Sequence, residues 1–139
     1  MIAIIIGPKE VSLSSEIGVM LQEYGDVEIF ATPEELIKKM KEGAIPDVVF
    51  WKKEFSLPAP PPPNEGIPWE FIWQLVWIRR KNPKVKVVIM SVYNYTSGGI
   101  IADALSAYFM GLPLGGKEHL FNFIKRKELF PAAAEVEAA

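Results

Sequence analysis

"MIAIIIGPKE", residues 1–10, decides the fold. Positions 2–6 are an unbroken apolar run, and Gly7-Pro8 stops it. A strand with one face in water alternates apolar and polar residues, whereas a continuous run marks a strand covered on both faces, as at the centre of a parallel sheet. The run is too short to cross a membrane. It also lacks the basic lead-in and small-residue cleavage site of a signal peptide.

The pattern repeats along the chain. Ile17, Met20, Leu21 and Tyr24 fall at i, i+3, i+4 and i+7 with Gly25 after them, a helix of about three turns with one apolar stripe. A short strand at 27–30 follows. "TPEE" (32–35) then supplies Thr32 as N-cap, Pro33 at the first helical position and Glu35 placed for a capping box, with Leu36, Ile37 and Met40 beneath and Gly43 as the stop. "IPDVVFW" (45–51) and "VKVVIMS" (85–91) predict a third and a fourth strand. Further helices are expected over about 68–81, about 99–106 and around Leu120, Phe123 and Ile124, and a short fifth strand over 108–110. Strands alternating with helices imply right-handed crossovers and a parallel sheet with helices on both faces. Five such units suit the doubly wound, flavodoxin-like α/β fold with strand order 2-1-3-4-5.

Composition bounds the function. The 139 residues are half apolar and 23% charged, which fits one globular domain, here 1–130. The tail "PAAAEVEAA" (131–139) has lost its periodicity and reads as a linker, a ragged end or a fraying helix, the linker being preferred. With a formal charge of −2, the basic clusters at 38–41, 79–86 and 125–127 read as solvated helix surface and not as a nucleic-acid patch. The chain has no cysteine, hence no disulfide framework, thiolate zinc site or thiol nucleophile. No segment reads as membrane-spanning, so the expected location is the cytoplasm. The sole histidine, His119, opens the last helix without a second histidine and reads as solvated surface. No Walker or G-x-G-x-x-G spacing occurs, and no nucleophile or carboxylate constellation suggests an enzyme.

Several features together resemble the response-regulator receiver (CheY-like) family over residues 1–127. They are "PDVVFW" before the third loop, Ser91 ending the fourth strand, "ADAL" and "YF" in the following helix and strand, Pro113 after the fifth strand, and "HLFNFI" in the last helix. Receiver chemistry uses an acidic pair to hold Mg²⁺, an aspartate after the third strand to accept phosphate, a Ser/Thr and a lysine. A hard divalent ion needs carboxylate oxygens, and an acyl phosphate forms only on a carboxylate. Carried over residue by residue, the acidic pair falls on Pro8 and Lys9, the acceptor on Lys52 and the lysine on Leu112. Ser91 and Phe109, the latter at the switching aromatic, match. Glu10 and Glu54 lie near the lost acids, and a glutamate at each place leaves Mg²⁺ short of ligands. The resemblance therefore implies a degenerate pseudo-receiver with no metal and no cofactor. Such domains resemble those at the amino end of larger proteins, including ATPases that position pilus or secretion machinery.

An alternative comes from the same edge. Lys9, Lys52 and Lys53, with Ser97 and Gly98 of "YTSGGI", lie where open α/β sheets bind ligands, which would suit an anion or nucleotide. The third helix carries the other unusual feature. Phe71, Ile72, Leu75, Val76 and Ile78 are expected to face the sheet, Glu70 and Gln74 to hold the polar arc, and Trp69, Trp73 and Trp77 to form a separate stripe that needs its own cover. "LPAPPPP" (57–63) is one candidate cover, since polyproline II packs on aromatic grooves. A protein partner, including a second copy of the chain, is the other.

Overall fold

The computed structural model describes residues 1–53, 69–91, 102, 105–112 and 116–130, without the side chains of Val11 and Trp69. Five strands form one parallel sheet: β1 (Ile2–Ile5), β2 (Val27–Phe30), β3 (Val48–Lys52), β4 (Lys86–Ser91) and β5 (Tyr108–Gly111), in the order β2-β1-β3-β4-β5. The helices are α1 (Val11–Leu21), α2 (Pro33–Lys41), α3 (Trp69–Lys81) and α4 (Lys117–Lys127). This is the doubly wound α/β fold expected from the alternation of apolar runs and helical stripes. Among the described residues no helix is long and apolar enough to cross a membrane.

Strand parity explains why the central runs are continuous. Ala3, Ile5, Val49, Trp51, Val87 and Ile89 point to one face, where Leu36, Ile37 and Met40 of α2 and Phe71, Leu75 and Ile78 of α3 cover them. Ile4, Val48, Phe50, Val88 and Met90 point to the other, beneath Ile17 and Leu21 of α1 and Leu120, Phe123 and Ile124 of α4. β1 is buried throughout, and β3 and β4 are buried at every residue except Lys52 and Lys86.

Local chemistry sets the boundaries. The Thr32 side chain accepts the Glu35 N–H at 3.3 Å, as an N-cap should. The Glu35 carboxylate reaches one residue further back than a capping box requires, accepting the Ala31 N–H at 2.9 Å. Gly43, at φ +110°, turns the chain out of α2. Before β5, the Ala107 N–H returns to the Ala102 carbonyl at 2.8 Å across Ser106, whose φ is 55°. That bond is of the kind that closes a helix C-terminus, and Ala102 is helical; most of the helix expected over about 99–106 lies outside the described residues. The core continues past α4 through buried Leu129 and the stacking of Phe130 on Tyr24, with ring centroids 4.7 Å apart. Residues 131–139 lie outside the described part.

The third helix departs from expectation. Gln74 is buried at 5% exposure and donates to Glu34 Oε1 at 2.9 Å, while Val76 is 44% exposed. The wheel treated the sheet as the sole neighbour of α3. In the structure α2 lies along its flank, so the seam between the helices buries Gln74, and the opposite flank, bearing Val76, faces water.

Candidate functional site at the carboxyl edge of the sheet

Parallel pairing brings the carboxyl ends of β1, β3, β4 and β5 together. Ile5 pairs with Trp51, Lys52 with Met90, and Ser91 with Gly111. Beyond the strands the ladder continues briefly, with Lys53 N–H donating to Met90 O at 3.0 Å and Leu112 N–H to Ser91 O at 2.9 Å. Residues far apart in sequence thus share one rim: Pro8, Lys9 and Glu10 after β1, Lys52 and Lys53 at the end of β3, Ser91 at the end of β4, and Leu112 after β5.

Glu10 enters this rim because residues 7–10 form a turn, Glu10 N–H donating to Gly7 O at 3.0 Å, and Glu10 then caps α1. Its side chain makes no capping bond. It reaches Lys52 instead, with Nζ 2.5 Å from Oε1. The Lys52 side chain is only 11% exposed and that of Glu10 36%, so the ammonium is largely withdrawn from water against a half-buried carboxylate. The pair ties the loop after β1 to the end of β3. Glu54 lies outside the described residues.

The remaining positions are dispersed in environment. Pro8 and Lys9 are exposed, and Lys53 is half-buried. Ser91 is buried at 1% exposure. Leu112 is buried within the core on the α1–α4 side, so the position that resemblance assigned to a phosphate-binding lysine serves as apolar packing. Phe109 is half-buried against the opposite core. Of the alternative anion site, Lys9, Lys52 and Lys53 belong to segments at this edge, and Lys52 is engaged by Glu10; Ser97 and Gly98 lie outside the described residues. Among the described residues no group of three or more His, Asp or Glu side chains is placed to hold a metal ion. His119 is exposed, as expected.

The tryptophan stripe divides. Trp77 packs partly against the core, and the Lys41 and Lys81 ammonium groups stand 5.9 and 5.2 Å from its ring centroid. Trp73 is 62% exposed. It borders a groove of about 390 Å³ between α2 and α3, floored by Ile37 and flanked by Glu70, Lys38 and Lys41. The Trp69 side chain and the 57–63 proline run lie outside the described residues. Sequence reasoning missed the lysine cover on Trp77; the signal was present in Lys81, one turn beyond Trp77 on the same helix.

No family model matches the chain, and no curated protein matches it. Solved structures do. The BeF3-activated receiver domain of DrrB from Thermotoga maritima superposes with a TM-score of 0.63 at 18% identity, over 90% of this chain and 93% of that one. A receiver-domain protein of Clostridium thermocellum gives 0.61 at 21% identity, over 92% and 96%. A pilus assembly-related protein of Burkholderia pseudomallei gives 0.59 at 13% identity, over 95% and 93%. At these identities the likeness is one of fold: the chain has the CheY-like receiver fold.

Proposed function

We propose that this chain is a phosphorylation-independent receiver domain, a binding module and not an enzyme, which works through contact with a protein partner or a second copy of itself within a regulatory or signalling protein. The reading rests on one observation. Lys52, where a receiver carries its phosphoacceptor, is drawn down onto Glu10 at 2.5 Å with little exposure to solvent.

The chemistry follows from that pair. An ammonium group cannot form an acyl phosphate. Glu10, the nearest carboxylate of the first loop, is already neutralised by Lys52, and Lys9 beside it adds positive charge where a divalent cation would need negative charge. In a receiver the crowded carboxylates repel one another until a metal relieves them; here an internal cation has that role, and the pocket is held in one state. The pilus assembly-related neighbour is in keeping with a receiver fold that serves an assembly.

Intact mass after incubation with acetyl phosphate and Mg²⁺, together with the fluorescence of Trp51 beside Lys52 under beryllofluoride and Mg²⁺, tests the proposal. No phosphoryl adduct and no fluorescence change are expected. An adduct or a saturable change that Glu10→Gln abolishes would show that the pocket is functional and would overturn the reading.

A further inference from the structure

We infer that the α2–α3 face is a self-association surface, on which a second copy of the chain docks antiparallel about a two-fold axis near Trp73. This rests on the interaction-module reading above and names its partner.

The argument starts from the relative run of the two helices. Gln74 in the first half of α3 meets Glu34 in the first turn of α2, and Trp77 further along α3 meets Lys41 in the last turn of α2. The helices therefore run in the same direction, and the Gln74–Glu34 bond shows their stagger. At 3.6 residues per turn, Glu70 lies about one turn before the level of Trp73, and Lys38 about one turn beyond the level of Glu34. Both helices start acidic, with Glu34 and Glu35 on α2 and Glu70 on α3. Both end basic, with Lys38, Lys39 and Lys41 on α2 and Arg79, Arg80 and Lys81 on α3. The exposed face is thus polar in charge along its length, with an exposed indole between the two ends.

Such a surface is complementary to itself turned end for end. A two-fold axis passing close to Trp73 brings Glu70 of each copy opposite Lys38 of the other, and the two helix pairs meet with opposed dipoles. The Trp73 indoles then meet at the centre, where large aromatic anchors contribute most to an interface, and the paired charges form the rim that sets orientation. A parallel arrangement would place like charges together. Glu34 keeps its bond to Gln74 and is not needed across the axis.

Sedimentation velocity over a concentration series tests this. The wild type is expected to pass from monomer to dimer, and Trp73→Ala to weaken association at least about tenfold while unfolding at the same midpoint as the wild type at concentrations where both are monomeric, since the side chain is 62% exposed. Glu70→Lys and Lys38→Glu are each expected to weaken self-association, and a mixture of the two variants to restore a dimer, because in the mixed pair both contacts again join opposite charges. A wild type that stays monomeric throughout, or a dimer indifferent to Trp73→Ala or to both charge reversals, overturns the inference. Mixed variants that fail to recover overturn the antiparallel register. A phosphoryl adduct would instead sink the phosphorylation-independent reading and leave the dimer standing, so the two failures are separable.

Discussion

Replacing Glu10 by Gln probes the Lys52–Glu10 pair directly, because it removes a charge and retains an acceptor of nearly the same shape. Opposite unit charges about 3 Å apart at an effective dielectric constant of about 20 attract by roughly 5 kcal/mol before solvation is counted. Desolvating the lysine offsets much of this, and Glu10 keeps a third of its surface in water, where exposed pairs retain only about 0–1 kcal/mol. A pair lying between the exposed and buried limits should couple by about 1–1.5 kcal/mol. Lys52→Met keeps most of the stem that packs at the rim and removes the need for a counter-charge. It should therefore change stability by less than about 1 kcal/mol, as replacements of ion pairs by apolar groups often do. Urea unfolding of the wild type, both single variants and the double variant closes the cycle. Glu10→Gln should cost about 1 kcal/mol in the wild type and close to nothing in the Lys52→Met background, with an unchanged denaturant slope. An equal cost in both backgrounds would refute the view that these two residues neutralise one another.

Two further outcomes test the fold and its packing. Phe71 is 2% exposed, with its ring centroid 4.6 Å from that of Trp51, so Phe71→Ala should destabilise by about 3–5 kcal/mol and alter Trp51 fluorescence; a loss under about 1.5 kcal/mol would show that the site collapses freely. The Tyr24 hydroxyl is held above its ordinary pKa of 10.0, chiefly by burial and secondly by the Glu23 carboxylate, with Lys117 opposing. Its folded-state pKa being raised, the stability it contributes is complete below pH 10 and is lost as pH rises beyond it, because the unfolded chain ionises first. Tyr24→Phe should flatten the alkaline limb of a stability–pH curve, and an identical limb in wild type and variant would refute the assignment.

Much of the fold was legible because it depends on local signals. A five-residue apolar run needs two covered faces wherever it lies, and "TPEE" caps a helix through atoms three residues apart. The doubled rim of the sheet was legible for a related reason: once the strand order is known, the residues that follow β1, β3, β4 and β5 must converge, and a lysine at position 52 cannot be an acyl acceptor in any register. What could not be read was side-chain packing set by one particular neighbour distant in sequence. Tyr24 was counted as the last residue of a helical stripe, yet α1 ends at Leu21, and Tyr24 stacks on Phe130 and meets Phe121 edge-on. Periodicity within residues 17–24 contains no information about those rings.

Gln74 shows the same limit in its sharpest form, and it bears on function. By sequence it is a polar residue on a polar arc, and solvent is its expected neighbour. Burial becomes tolerable only because Glu34, forty positions earlier, provides an acceptor at 2.9 Å, so that a buried amide is satisfied and not left to cost several kcal/mol. The bond then does more than satisfy a donor. It also marks the level at which α2 and α3 are in step, with Glu70 before that level and Lys38 beyond it. A surface whose charges were free to slide would have no preferred register for a second copy. The face takes its direction from the acidic starts and basic ends of the two helices, and the polar pair in the seam marks the stagger at which those charges would make an antiparallel partner distinguishable from a parallel one.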